Sequence, residues 1–351
     1  MGSMFDSPTA HCEMIAGRSR INKASFHKYL ILLLILVYSA SAVAQAPSTN
    51  PGPAYPSKAI RLVVPYPPGG GVDITARIVG QKLSELVAQP VIVDNRAGAT
   101  GTIGADYVAK SVADGYTLLV GGRGPISTAP LMNPNLPYAP ERDFVPVSNL
   151  VNWPYILVTH PSVPARNAAE LITLARARPG QFNMASGGTG SGQHIAGELF
   201  NLMAKSRMTH VPYKGTAPAI NDIMGGHADL GFLDPAVIPQ IKSRRLKALG
   251  VSSGTRYEPL PDVPPIAQSG LPGYVSLTWY GLMAPAGTPR TAITRLNTEV
   301  AHALAQESVR EKLLTQGLIA APSTPAQFAL HIKQDYEQLL TVIKATGIKP
   351  N

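Results

Sequence analysis

The chain of 351 residues is poor in cysteine, aromatic residues and charge. Its one cysteine, Cys12, lies ahead of the first apolar run, so disulfides and thiolate metal sites are excluded from the rest of the chain. Charged residues make up 15% and hydrophobic residues 45% of the sequence. This balance excludes general disorder and indicates that the chain buries substantial cores.

Long apolar runs are also lacking, with one short exception near the N-terminus. Basic residues precede an apolar run at residues 29–37, and small residues follow it. This order is typical of a secretory signal peptide, and the run is shorter than the roughly 20 residues that span a bilayer. We therefore predict that residues 1–46 are a signal peptide, cleaved near Ala44 or Ala46.

The formal net charge of +9 does not come from a basic patch. Basic residues are scattered, and the densest cluster lies at residues 242–247. Such a short cluster is typical of a solvated helix end, whereas nucleic-acid binding needs a basic face or stripe. No nucleic-acid partner is predicted.

From residue 60 onward, short apolar runs alternate with longer amphipathic segments. The apolar runs predict strands at residues 60–64, 91–93, 116–120, 155–158, 208–211, 228–232, 246–249 and 279–283. Helical spacing predicts helices near residues 74–86, 103–109, 168–177, 193–203, 217–224, 291–314 and 325–346. Together with a length that suits two domains, this alternation predicts an α/β fold of two lobes, each a mainly parallel sheet flanked by helices.

The first glycine loop, Pro65–Asp73, joins a predicted strand to a helix. Its three consecutive glycines let backbone N–H groups approach a ligand, and the helix N-terminus favours an anion. The loop lacks the Gly-Lys-Ser/Thr ending of a P-loop and the G-x-G-x-x-G of a dinucleotide site. An ordinary tight turn in which Asp73 caps the helix is the alternative. No cofactor is predicted.

The second glycine loop, Ala185–His194, also opens a helix. Its small hydroxyls and backbone amides form a neutral cradle that suits a carboxylate. Ser191 lies near His194, which raises the alternative of a serine hydrolase. A nucleophile elbow needs glycine two residues before and two residues after the serine, and neither Ser186 nor Ser191 meets this requirement. No enzyme is predicted.

Two further candidates end predicted strands. Arg123, in the loop Gly121–Pro125, could pair with a ligand carboxylate, although a loop arginine is more often solvated. Asp234 could orient a ligand or cap a turn. The six histidines beyond the predicted signal peptide include no i,i+4 pair and no H-E-x-x-H, so no metal site is predicted.

Six segments together resemble one known family. They are Tyr55-Pro56, VPYPPGG at 64–70, VDNRAGA at 93–99, ADGYTLL at 113–119, VPYKG at 211–215 and GLMAPAGTP at 281–289. In this order they resemble the substrate-binding proteins of tripartite tricarboxylate transporters, the Bug receptors of Gram-negative bacteria. They span nearly all of the chain beyond the predicted signal peptide.

The resemblance implies a periplasmic binding protein with a Venus-flytrap fold. Lobe 1 would comprise residues 55–152 and 282–351, and lobe 2 residues 153–281. The implied function is capture of a small carboxylate (a di- or tricarboxylate, an amino acid or an aromatic acid) for membrane transporter subunits. The alternative partner is a sensor protein that reads ligand occupancy. We expect a monomer that catalyses no reaction.

The resemblance also assigns ligand-binding roles to residues of the two glycine loops. In the family the first loop holds the distal end of the ligand through water, and the second clamps a carboxylate through amides and hydroxyls. The matching residues are Tyr66, Gly69, Gly70, Asp73, Ser186, Gly187, Gly190, Ser191 and His194, followed by Asp234. Arg123 departs from the family, whose corresponding loop is small and polar. If Arg123 faces the cleft, it favours a dicarboxylate.

Overall fold

A computed structural model describes residues 55–348 and Lys28. Apart from Lys28, the predicted signal peptide lies outside the described residues. Within the described part of the chain, no helix is both long enough and apolar enough to cross a membrane.

Two mixed sheets organise the described residues. The strands are β1 (Ile60–Val64), β2 (Val91–Asn95), β3 (Thr117–Gly122), β4 (Phe144–Pro154), β5 (Ile156–Thr159), β6 (Asn183–Ser186), β7 (Thr209–Pro212), β8 (Leu230–Leu233), β9 (Lys247–Val251), β10 (Leu277–Pro285) and β11 (Ile319–Ala320). The first sheet has the order β11-β4-β10-β3-β1-β2, and the second has the order β7-β6-β8-β5-β9.

Helices lie between most of these strands. They are α1 (Gly71–Val87), α2 (Thr102–Ala109), α3 (Ala129–Met132), α4 (Pro140–Asp143), α5 (Ala168–Ala177), α6 (Gly192–Ala204), α7 (Thr216–Met224), α8 (Ile238–Lys242), α9 (Arg290–Ala305), α10 (Glu307–Thr315) and α11 (Pro325–Thr346). Single turns at Ala99–Gly101, Pro235–Val237 and Ile266–Gln268 are 3₁₀ helices, and a π-helical turn spans Gly124–Thr128.

The sheets are mixed, where the sequence predicts mainly parallel ones. In the first sheet β1 pairs in parallel with β2 and β3, whereas β10 pairs antiparallel with β3 and β4. The second sheet repeats this division, because β5 is antiparallel to both β8 and β9. The antiparallel pairs arise because strands that enter from the other sheet run against the βαβ strands.

Long strands carry the chain between the two sheets. β4 ends at Pro154, and β5 begins in the second sheet at Ile156. The return strand β10 pairs along its whole length with β4, from Leu277 to Pro285. The boundary expected at residues 281/282 falls inside this strand. We therefore propose that the lobes divide near residues 155 and 276.

Local sequence explains several helix ends. Thr324 caps α11 through a capping box with Gln327, and Pro325 occupies the first turn, where its missing N–H has no cost. Asn167 caps α5 by accepting a hydrogen bond from the Glu170 N–H. The helix predicted over 291–314 is instead two helices, because Gln306 adopts an extended backbone (φ −66°, ψ 129°).

Separate apolar cores cover the two sheets, and α11 contacts both regions. Near its start, Phe328 packs edge-on against Trp279 of β10 at 5.2 Å between ring centroids. Near its end, Leu339 and Val342 form a small cluster with Ile195 of α6. The last helix thus packs on the crossing strand β10 near its start and on α6 of the second region near its end.

Candidate functional site

Residues attached to both sheets line one cavity of about 510 Å³, which we name the intersheet cavity. Gly69–Gly71 and Tyr280 line it from the first sheet, and Thr216, Ala217 and Asp234 line it from the second. Its volume is within the range of roughly 300–1,000 Å³ that is usual for small-molecule sites. A wider surface groove of about 810 Å³ contains none of the candidate residues.

The buried carboxylate of Asp73 fixes the conformation of the first glycine loop. Its carboxylate is 2% exposed and accepts hydrogen bonds from the Gly69 N–H and from Asn95 Nδ2, each at 2.9 Å, and it pairs with Arg77 at 2.9 Å. Burial by itself raises the pKa of Asp73, but these donors outweigh burial, so the pKa is lowered. Gly69 has φ +85°, which favours glycine. Asp73 therefore shapes the loop and does not line the cavity.

The loop leaves its own backbone donors free. In the described structure, the N–H groups of Gly71 and Val72, in the first turn of α1, donate to no protein group. No side chain caps this helix, whose N-cap residue is Gly70. Free donors at a helix N-terminus attract an anion.

The second glycine loop is held by buried side chains of its own. Ser186, fully buried, accepts a hydrogen bond from the Gly188 N–H at 3.1 Å through its hydroxyl. The Gly187 N–H donates to Gln193 Oε1 at 2.6 Å. The sequence predicts bare amides at this loop, but the amides of Gly187 and Gly188 already have partners inside the protein.

Two stacked imidazoles support the same loop. His194 and His210 lie with ring centroids 3.6 Å apart and planes 9° apart. The Gly190 N–H donates to His194 Nδ1 at 3.1 Å, and His210 Nε2 lies 2.6 Å from the Ser186 hydroxyl. Burial, together with His210, lowers the pKa of His194 to about 3, and burial lowers the pKa of His210 to about 4. Both rings are therefore neutral at neutral pH.

Ser191 caps α6, and three nearby amides stay free. The Ser191 hydroxyl accepts a hydrogen bond from the His194 N–H at 3.2 Å. Within the described residues, the N–H groups of Thr189, Gly192 and Gln193 donate to no protein group. These three amides do not line the intersheet cavity, which on this side is lined by Thr216 and Ala217 in the first turn of α7.

Asp234 links the second glycine loop to α7. Its Oδ2 accepts hydrogen bonds from Thr216 Oγ1 at 2.7 Å and from Gln193 Nε2 at 3.2 Å. Burial raises the pKa of Asp234, and these hydrogen bonds offset the rise only in part. Gln193 therefore joins the loop, through Gly187, to a carboxylate that lines the cavity.

Arg123 is neither solvated nor part of the cavity lining. It is 6% exposed, forms an ion pair with Asp335 of α11, and donates to the Leu277 carbonyl oxygen at 2.7 Å. Trp279 Nε1 also donates to Asp335, at 3.1 Å. Because Asp335 neutralises its charge, Arg123 gives no support to the predicted preference for a dicarboxylate ligand.

Tyr66 also lies beside the cavity instead of lining it. Its hydroxyl donates to the Thr100 carbonyl oxygen at 3.4 Å, and its own carbonyl oxygen accepts from Asn95 Nδ2 at 3.1 Å. Burial, with a contribution from Tyr155, raises the pKa of Tyr66. Of the sequence-predicted residues, Gly69, Gly70 and Asp234 line the cavity, and a ligand contact for the others stays a prediction.

The comparisons with known proteins agree with this arrangement. Residues 75–348 match the family model described as the tripartite tricarboxylate transporter family receptor. The chain belongs to this family. BugT of Bordetella pertussis is 38% identical over 322 residues, which are 91% of this chain and 98% of BugT. The predicted resemblance to Bug receptors is confirmed.

Solved structures extend the similarity to the fold. A protein of R. palustris, solved with adipate, is 36% identical with a TM-score of 0.75, covering 85% of this chain and 100% of the other. MatC of Rhodopseudomonas palustris, with bound malate, is 31% identical with a TM-score of 0.70, covering 82% of this chain and 100% of MatC. The two-lobed periplasmic binding protein fold is therefore confirmed, and the relatives are solute-binding proteins.

Sequence reasoning missed several residues at the site. Trp153, near the end of β4, and Tyr280, within β10, line the cavity with Thr216. Their aromatic rings lie 4.3 Å apart between centroids. His210 was considered only as a possible metal ligand, although it directly precedes the VPYKG segment. That position beside a recognised segment was the available signal.

Proposed function

We propose that this receptor captures a small carboxylate in the intersheet cavity, in the periplasm, and presents it to the membrane subunits of a tripartite transporter. One observation carries the proposal: a cavity of small-molecule size is lined by the start of α1, where the Gly71 N–H is free, and by Thr216 and Ala217 at the start of α7 on the other sheet. A carboxylate accepts several such hydrogen bonds at once, and charge-assisted bonds of this kind are strong.

The second side of the site has defined donors for the carboxylate. Thr189, Gly192 and Gln193 lie outside the cavity lining in this structure, and we propose that their backbone N–H groups, with the Thr189 hydroxyl, donate to the carboxylate when the ligand is bound. The adipate and malate bound by two relatives support an organic acid as the ligand. The first turn of α1 would receive the distal end of the molecule.

We infer that the protein catalyses no reaction. Two serine–histidine side-chain contacts occur among the described residues. In Ser186 with His210 the serine is fully buried, and Ser162 with His160 lies outside the cavity lining. His210 stacks on a second neutral imidazole, which favours a supporting role over that of a general base. The family relatives are binding proteins, which supports the same conclusion.

A thermal-shift screen tests the proposal. Residues 47–351 would be unfolded, dialysed and refolded to remove any bound ligand, and then heated with mono- and dicarboxylates, amino acids and aromatic acids. A ligand at 100 times its Kd stabilises the fold by about 2.7 kcal/mol, which raises Tm by a few degrees. If no acid raises Tm after refolding, the proposal fails.

Gly190 and Gly180 provide a matched pair of variants for the screen. Both glycines have positive φ angles, +74° and +78°. A Cβ at Gly190 would lie 3.3 Å from Met132 Cε, beside the loop, whereas a Cβ at Gly180 would meet nothing within 4 Å. Gly190→Ala should lose the ligand-induced rise in Tm, and Gly180→Ala should keep it despite a similar backbone cost.

A further inference from the structure

The charge of the intersheet cavity is unusual for a carboxylate site. Among the described residues that line it, Asp234 is the one carboxylate, and no lysine or arginine is present. A second carboxylate placed beside Asp234 would either face a like charge or have to share a proton with it, and both are unfavourable at neutral pH. The charge of the cavity lining is therefore asymmetric. Backbone donors favour one anionic group of the ligand, whereas Asp234 disfavours a second anionic group.

The two carboxylate oxygens of Asp234 accept different numbers of hydrogen bonds. Thr216 and Gln193 both donate to Oδ2, whereas Oδ1 accepts only from the Ala236 N–H, at 3.3 Å. All three donors are uncharged. A buried carboxylate is normally paired with a cation or fully hydrogen-bonded, so Oδ1 can accept a further donor.

Two buried or partly buried ion pairs already engage Arg123 and Arg77, so neither arginine donates to Asp234 Oδ1. Arg123 is paired with Asp335, and Arg77 is paired with Asp73 behind the first glycine loop. Neither arginine lines the cavity. Among the described residues no lysine or arginine lines the cavity or donates to Asp234, so a further donor is left to solvent or to the ligand.

We propose that Asp234 selects carboxylates that also carry a hydrogen-bond donor, an ammonium or a hydroxyl, and selects against unsubstituted dicarboxylates. This inference rests on the proposed function, because it takes the intersheet cavity as the ligand site. The Trp153 and Tyr280 rings, with Ile74 and Leu318, line the space beside Asp234. The body of the ligand between its two polar ends is accordingly uncharged.

A length-matched series of acids tests the selection. Hexanoate, 6-hydroxyhexanoate, 6-aminohexanoate and adipate share a six-carbon chain and one carboxylate and differ only at the far end. Calorimetric Kd values on refolded protein would be measured for these four acids and for the equivalent series from four to eight carbons. At the best length, the amino and hydroxy acids should bind about tenfold tighter than the methyl-ended acid and the dicarboxylate, the size expected for one charge-assisted hydrogen bond.

The variant Asp234→Asn isolates the charge. The amide has nearly the same shape, accepts through its oxygen and donates through its nitrogen. It should weaken binding of the amino acid about tenfold and strengthen binding of the dicarboxylate, so that the ranking of the series reverses. Asp262→Asn, at an exposed site outside the cavity lining, removes the same charge and should leave the ranking unchanged.

The outcomes separate the two proposals. Tightest binding of a dicarboxylate to the unmodified protein, with no change in Asp234→Asn, would overturn the role of Asp234 and leave the carboxylate receptor intact. An unchanged preference for donor-bearing acids in Asp234→Asn would also overturn it. If no acid of any length bound, the proposed function itself would fail.

Discussion

The two glycine loops open helices in the same way, yet opposite kinds of side chain hold them. The first is organised by an ionised carboxylate, Asp73, which gathers a backbone amide, an amide side chain and an arginine. The second is organised by two neutral imidazoles, His194 and His210, which support Gly190 and Ser186. A flexible glycine sequence thus acquires a fixed shape from the polar group buried behind it.

The difference also decides what each loop can offer to a ligand. A charged support behind the first loop stays charged across the physiological range, so its donors keep their geometry. The support behind the second loop works only while His194 is neutral, because a proton on Nδ1 would face the Gly190 N–H, another donor. The second loop should therefore be the acid-sensitive side of the site.

The largest expected effect comes from removing the support of the first loop. Asp73→Ala leaves Arg77 and the Gly69 N–H without their partner and should lower the free energy of unfolding by about 2–3 kcal/mol. Urea unfolding at pH 7 measures the loss. Asp94→Ala is the control, because Asp94 also contacts two arginines, but nearer the surface, and should cost less than about 1 kcal/mol. Equal losses in the two variants would refute a special role for Asp73.

A smaller effect should appear in how the free energy of unfolding depends on pH, and it should arise from the second loop. In the unfolded chain histidine binds a proton below about pH 6.5, whereas His194 and His210 stay neutral in the fold down to about pH 3 and 4. The free energy of unfolding should therefore fall as pH decreases from 6.5 toward 4.5, by up to about 1.4 kcal/mol per pH unit for each such histidine.

Two variants sharpen this comparison. His210→Gln keeps a polar group beside Ser186 but cannot titrate, so it should reduce the slope between pH 6.5 and 4.5. Asp73→Asn should leave that slope unchanged, because a carboxyl with a lowered pKa gives stability that is lost only below about pH 4. Urea titrations at each pH measure this slope. If the free energy of unfolding changed equally with pH in the unmodified protein and in His210→Gln, the assignment of the slope to His210 would be contradicted.

Local sequence was sufficient to predict much of the fold. The apolar strand 60–64 matches β1, and the helices predicted at 168–177 and 325–346 have the observed bounds. Clear periodicity and strong caps explain this success. β4 was missed because Pro146 and its polar residues break the strand pattern, and β6 was missed because its sequence, Asn-Met-Ala-Ser, contains no β-branched or aromatic residue.

The parts of the site that escaped prediction depend on contacts between distant residues. Arg123 and Asp335 are 212 positions apart, so no local pattern reveals that the arginine is already paired. The stack of His194 on His210 joins α6 to β7 and forms only when the chain folds. The glycine loops were visible in the sequence because their shape is local, whereas their supports come from the fold.

Gly70→Leu gives the most direct test of a ligand site between the two loops. Gly70 lines the cavity with ordinary extended backbone (φ −79°), and a Cβ there would meet only the Pro67 carbonyl oxygen, at 3.8 Å. The leucine should therefore fill the cavity without straining the fold. Gly254→Leu, at an exposed glycine with a Cβ contact at 3.6 Å, is the control. The measurement is calorimetric binding of the best acid from the screen: Gly70→Leu should abolish binding at unchanged Tm, and binding equal to that of Gly254→Leu would contradict the account.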